Sequence, residues 1–390
     1  MSNIKNILKK KLATIPKDWG VAELGKIGQS IIGLTYSPND IVDHSGTLVL
    51  RSSNIVGNHI DYSDGVYVNK AIPEKLIVKE GDILVCARNG SRGLIGKNAY
   101  IDKISAGNSF GAFMSVYRTS SSPFVFQFFQ SEPFRKQIYR NLGATINQIT
   151  TKNLNEFIIP FPPLPEQKKI AEILGKWDDG IETVEKLIAA KKKLKKALMQ
   201  QLLTGKKRFK EFEGQEWEHV NLENLCKIKT GKKDVNEGNS TGEYPFFTCA
   251  KEITYSDTFS FDTKAILIAG NGEVGHCRYY EGKFEVYQRT YVLHKFCRCD
   301  IAFLFQYLRL FLERKVQREK QQGAMPYMKL GLLTHFKINL PPQKEQQKIA
   351  SVLNAADKEI ELLNNKLQAL KNQKKGLMQK LLTGQIRVKV

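Results

Sequence analysis

No Cys-x-x-Cys pair occurs in the 390 residues. The six cysteines are Cys86, Cys226, Cys249, Cys277, Cys297 and Cys299. Cys297-x-Cys299 with Cys277 and His276 comes nearest to a zinc spacing and is a poor match. No metal site is expected, and the thiols should be reduced and half-buried. A Gly-x-x-x-x-Gly-Lys-Ser/Thr loop is missing, which leaves a P-loop nucleotide site unsupported. No His-Glu-x-x-His occurs either. The six histidines are scattered. No cofactor and no enzymatic centre are expected on these grounds.

Long apolar runs are also lacking: none approaches the roughly 18–20 residues needed to cross a bilayer. The opening MSNIKNILKKKLATIPKDW has no signal-peptide core. The expectation is a cytoplasmic chain with no membrane partner. Acid is scarce relative to base, 39 Asp and Glu against 60 Lys and Arg, for a net charge of +21. Such an excess favours a polyanionic partner, nucleic acid first.

What is present is an internal repeat. Glu166–Gly205 aligns with Glu345–Gly384 without a gap, and about half the positions are identical. EQKKIAEIL answers EQQKIASVL, Asp178 answers Asp357, and LMQQLLTG answers LMQKLLTG. The preceding segments are weaker copies. ILVCARNGSRGLIG (Ile83–Gly96) resembles AILIAGNGEVGHC (Ala265–Cys277), with Asn89-Gly90 falling on Asn271-Gly272. Gly143-Ala144 likewise answers Gly323-Ala324.

The preserved segment reads as a long helix. Prolines at 162, 163 and 165, and at 341 and 342, sit where a helix begins. Glu166 and Glu345 place negative charge in the first turn, and Gly205 and Gly384 supply the stop. Apolar residues recur in alternating steps of three and four, the signature of a coiled-coil seam. The seam residues are Leu174, Trp177, Ile181, Val184, Ile188, Leu198 and Leu202 in one copy. In the other they are Leu353, Ile360, Leu363, Leu367, Leu370, Leu377 and Leu381. Met199 and Leu203, with Met378 and Leu382, form a second apolar stripe beside the seam. That stripe must also be buried, and it is expected to dock a recognition domain or a partner subunit.

The variable segments are short β-rich runs broken by Gly, Asn, Asp and Ser, each followed by a helix, near 123–141 and 301–322. They predict two α+β domains, each flanked by a long helix. Their turns carry basic and amide side chains suited to base edges and phosphates. In the first domain these are Arg51, Ser53, Asn54, Arg88, Asn89, Ser91, Arg92 and Lys97. In the second they are Lys232, Lys233, Lys251, Asn271, Arg278, Tyr287 and Arg289. The recurring Asn-Gly reads as a tight turn needing positive φ, and so as scaffold. The neighbouring Arg88 and Arg92, which do not recur, are better placed to give specificity.

This layout resembles the specificity subunit of type I restriction–modification systems. The resemblance covers essentially the whole chain. Its marks are the duplicated Pro-Pro…Glu-Gln…Ile-Ala helix entry and the helix end Leu-Met-Gln-x-Leu-Leu-Thr-Gly, and GEYPFF…ILIAGNGEVG…YVLHKF in the second half also looks like that family. It implies an α+β fold: two α/β target-recognition domains separated by two long antiparallel coiled-coil helices, a pseudo-two-fold internal repeat. The expected division is 1–160 and 206–339 for the recognition domains, with 161–205 and 340–390 for the spacer helices. Each domain is expected to read half of a split, asymmetric site on double-stranded DNA. Two modification (methyltransferase) subunits would bind around this core. Separate restriction subunits would supply ATP-driven translocation and cleavage. The chain itself would do no chemistry.

A helix from Glu166 to Leu203 is on the order of 55 Å long, against about 34 Å for one turn of DNA. Domains at the ends of such a spacer can face one duplex across a gap of several base pairs. Two other classes stay open. A stand-alone DNA-binding scaffold or regulator would elute without a methyltransferase, and a self-contained methyltransferase would bind S-adenosylmethionine.

Overall fold

A computed structural model describes residues 15–143, 147–321 and 327–389. The Ala144 and Gly323-Ala324 positions of the repeat, and the last residue of the 301–322 helix, lie outside them. The chain divides into two compact units, Met1–Thr183 with Lys366–Val390, and Val184–Asn365. Among the described residues no helix is long and apolar enough to cross a membrane.

The first unit opens with β1 (Gly20–Glu23), α1 (Leu24–Ile27) and β2 (Gln29–Ile32). Short strands follow: β3 (Ile41–Val42), β4 (Thr47–Leu50), β5 (Ile55–Val56), β6 (His59–Ile60) and β7 (Tyr67–Val68). Next come β8 (Ile83–Cys86), β9 (Asn98–Tyr100), β10 (Ser109–Phe110) and β11 (Met114–Arg118). Two four-stranded sheets result, ordered β2-β11-β8-β9 and β10-β4-β7-β3. Both faces of β8 are buried, so it reads as an unbroken apolar run. Leu84, Cys86, Met114 and Val116 pack with Leu48, Leu50 and Phe110 in one core.

A single helix over 123–141 is not what forms. The segment makes α2 (Ser122–Phe129) and α3 (Glu132–Asn141). Pro133 is the cause: inside a helix its ring would clash with the carbonyl four residues back, and it has no N–H to donate. The chain therefore restarts, with Ser131 as N-cap accepting from the Phe134 N–H and proline in the first turn. After α4 (Thr151–Asn155), β12 (Ile158–Phe161) pairs antiparallel with β1 and leads into α5 (Leu164–Leu202).

The second unit repeats the plan. β13 (Glu218–Asn221), β14 (Lys227–Thr230), β15 (Tyr244–Phe247), β16 (Thr254–Ser256), β17 (Phe261–Ala269), β18 (Cys277–Val286) and β19 (Thr290–His294) precede α6 (Ile301–Gln321). Six strands form one sheet, β14-β19-β17-β18-β15-β16. Leu312 stands where α3 has Pro133, and α6 runs without a break. Then come α7 (Leu330–Thr334), β20 (Lys337–Leu340) and α8 (Gln343–Leu381). β20 pairs with β13 and leads into α8, as β12 leads into α5.

The helix ends explain the repeated phrases. At each entry the glutamine folds back: Gln167 donates from Nε2 to the Pro162 carbonyl, and Gln346 to Pro341, both at 2.8 Å. At each exit glycine turns left-handed, at φ +70° for Gly205 and +72° for Gly384. The Lys207 N–H then reaches the Gln201 carbonyl, and Ile386 reaches Lys380.

Within the first unit the early part of α5 lies antiparallel to the late part of α8, since Glu166 meets Arg387 while Asp178 meets Lys374. Within the second, Lys195 meets Asp357 and Arg208 meets Glu345, again antiparallel. Every seam position is at least half-buried. Leu174 and Leu381 are fully so in the first unit, where Trp177, Ile181, Leu367, Leu370 and Leu377 are half-buried. Val184, Ile188, Leu202 and Leu353 are buried in the second, where Leu198, Ile360 and Leu363 are half-buried.

The second stripe is spent inside the chain. Met199 and Leu203 join Leu222, Phe303 and Leu308 in the core of the second unit. Met378 and Leu382 join Trp19, Phe128 and Phe134 in the first. With at most 9% exposure, these four side chains pack into the cores of the two units. The exposed leucines of α5 within the second unit are Leu187 and Leu194.

Candidate nucleic-acid interface

In the first unit, three connections converge: the turn after β4, the loop from β8 to β9, and the turn before β11. Asn89 donates from Nδ2 to the Ser52 hydroxyl at 3.1 Å, and Lys97 donates to the Ser52 carbonyl at 3.2 Å. The Asn89 side-chain oxygen Oδ1 accepts from the Ser91 N–H at 2.9 Å. This side-chain turn is what bends the chain. Gly90 therefore stays out of the left-handed region that its Asn-Gly pairing predicted, whereas Gly272 enters it at φ +58°.

Arg88, Ser91, Arg92 and Ser53 are exposed on this face. The Arg88 guanidinium lies 5.1 Å from the ring centre of Phe113, a cation–π contact. Two other predicted residues are committed elsewhere. Arg51 pairs with Asp64 at 2.9 Å. Asn54 is fully buried, donating to the Asp61 and Asp64 carbonyls and accepting from the Arg51 N–H. Its role in this geometry is to hold the turn that presents Ser52 and Ser53.

In the second unit the corresponding loops also meet. Gly270 donates to the Arg289 carbonyl at 2.9 Å, and Arg278 donates to the Lys251 carbonyl at 2.7 Å. Lys251 pairs with Glu273 at 3.3 Å. Lys233 reaches the hydroxyls of Ser256 and Thr258, with Glu285 at 3.7 Å. Tyr287 is buried against Phe246, Cys249 and Ala269. Asn271 bridges to Tyr327. Lys232 and Arg289 stand exposed, with no ion pair among the described residues. The fold thus gathers residues 56 positions apart (Lys233 to Arg289) onto one face, and it leaves a different set of side chains free in each unit.

Among the described residues no group of three His, Cys, Asp or Glu stands close enough to hold a metal ion. Burial pushes the Cys86 thiol up to about 11 and the Cys226 thiol to about 12, so neither forms a thiolate near neutrality.

The sequence reading missed two features. Phe113 is 59% exposed beside Arg88, and a lone aromatic in a short turn gives no periodic signal. The second is a polar cluster that recurs at a spacing of 179 residues. Asp178 accepts from Gln127 at 2.9 Å and pairs with Lys374. Asp357 accepts from Gln306 at 2.8 Å and pairs with Lys195. In each unit one aspartate ties a recognition-domain helix to both long helices. Carrying the ungapped alignment back past Glu166 would have exposed the Gln127–Gln306 match.

The family model for the type I restriction modification DNA specificity domain matches residues 16–193 and 214–372. The type I restriction enzyme EcoDI specificity subunit of Escherichia coli is 35% identical, over 43% of this chain and 37% of its own length. A Methanocaldococcus jannaschii protein assigned as the type I restriction enzyme MjaX specificity subunit is 30% identical, over 99% of this chain and 97% of that one. The crystal structure of a type I restriction–modification S subunit from M. genitalium superposes with a TM-score of 0.64 over 94% of this chain and 96% of that one. At 18% identity that last likeness speaks to the fold alone.

Proposed function

The chain belongs to the type I restriction–modification DNA specificity family, and we propose that it is the sequence-reading subunit of such a complex. Residues 1–160 and 206–339 each read one half of a bipartite, asymmetric target on double-stranded DNA. Residues 161–205 and 340–390 set the distance between the halves and carry two modification subunits. Methyl transfer belongs to those subunits, and ATP-dependent translocation and cleavage to restriction subunits, in the cytoplasm where the DNA is.

One observation carries this reading. The two units share their helix entries, helix exits and three-helix polar clusters, yet expose different side chains at the loops. A common frame with divergent loops is what two half-sites of different sequence require. The base-reading candidates are Arg88, Ser91 and Arg92 in one unit and Lys232 and Arg289 in the other.

Co-expression with a type I modification subunit tests the assignment. The chain should elute with that subunit, and the complex should methylate one bipartite sequence with unlike halves. A chain that elutes alone and directs no methylation would overturn it.

A further inference from the structure

Gln127 and Gln306 anchor the helices of the two units to the same 179-residue offset, since each donates to the matching aspartate. On that offset Arg135 of α3 falls on Arg314 of α6. Both side chains are exposed, and neither has an ion pair among the described residues.

Each arginine lines a groove between its helix and the loop that follows the central strand. In the first unit the groove holds about 260 Å³, and Arg135 shares it with Lys97, Asn98 and Tyr139. No acidic residue lines it. In the second unit it holds about 960 Å³, and Arg314 shares it with Lys196, Lys251, Arg309, Arg318 and His276. Glu273 and Glu313 also line this groove. Glu273 is taken up by Lys251, and Arg309 leans toward Asp357 at 3.4 Å. Lys196, Arg314 and Arg318 then face a single glutamate, so the groove keeps a positive excess.

Both grooves run on from the reading loops. Lys97 borders one groove and braces Ser52 beneath Asn89. Gly272 and Glu273 border the other within the Asn-Gly loop. A strand crossing the loops of either unit leads into its groove.

Side chains that differ between the units suit the bases, which differ between half-sites. A cation that recurs at the repeat offset and lines a groove in both units suits what the half-sites share, the phosphodiester backbone. We infer that Arg135 and Arg314 are equivalent phosphate clamps, one per half-site. They fix each unit on the duplex without reading sequence. This rests on the DNA-reading function proposed above.

The test uses the full-length chain and a mixed-sequence duplex of about 40 base pairs, with affinity followed from roughly 50 to 200 mM salt. Arg135→Gln and Arg314→Gln should each weaken binding several-fold and reduce the salt slope by about 1, and the double variant by about 2. Arg135→Lys and Arg314→Lys should keep most of the slope. Melting temperatures should not move, because both side chains are exposed. An unchanged slope in both glutamine variants overturns the clamps. So does a defect confined to capture of a modification subunit, with DNA binding intact. A wild-type chain that binds no duplex at any salt overturns the DNA-reading function itself, and the clamps with it.

Discussion

Lys195 stands at a seam position where the heptad pattern calls for an apolar side chain, and only 7% of it reaches solvent. Asp357 supplies the missing charge. Burial raises the Asp357 carboxyl, but the ammonium of Lys195 and the amide of Gln306 more than reverse this, so its pKa lies below the ordinary value. A lowered carboxylate pKa contributes stability that is complete above the unfolded value and lost as pH falls through the folded one. Asp357→Asn should lower the urea-derived stability by about 2 kcal/mol at neutral pH, because it strands a buried ammonium. The figure is below that of a fully enclosed pair, since Asp357 keeps 37% of its side chain in water. The difference from wild type should shrink below about pH 4; a gap that persists or widens there would contradict this assignment. The terminal glycines make a second comparison. A methyl group at Gly205 meets the Trp217 ring at an ordinary 3.6 Å, so Gly205→Ala should cost about 1 kcal/mol of left-handed strain. At Gly384 the same methyl runs into Pro16. Gly384→Ala should lower the melting temperature more, and equal shifts would count against the packing.

α5 and α8 were the most legible elements. Their heptads, proline entries and glycine exits are all local signals, and each helix spans 39 residues as that pattern asks. The buried ends of Glu166 and Glu345 were not legible as such. The first-turn rule places an acid there, but it does not announce that Arg387 pairs with Glu166 and Asp18, or that Arg208 and Trp217 both meet Glu345. Those partners are brought in by the turns after each helix, which no periodicity describes. The break at Gln130–Ser131 was in principle readable from Pro133, and the aromatic run around it masked the signal. For the spacer, the proposed role gives a length prediction. Four residues inserted in α5 add about 6 Å, so the gap in the methylated target should grow by one or two base pairs. An unchanged gap in methylation mapping would remove the ruler.

At the scale of the molecule, the family was open to reading because duplication writes its marks twice. The loop face proposed to read DNA was harder. Asn54 looked like a reader by residue type, but its amide holds a turn. Phe113 looked like nothing and stands 59% exposed beside Arg88. Turn residues serve scaffold and recognition with the same chemistry, and only the folded position separates the two.

The central claim is that two independent readers share one frame. Methylome sequencing of cells carrying the chain with its modification subunit tests it directly, before and after the segment Gly25–Asn141 is replaced by its counterpart from another family member. The account predicts one bipartite target in which a single half changes and the other half and the gap persist. A change in both halves, or a target without a gap, would contradict it.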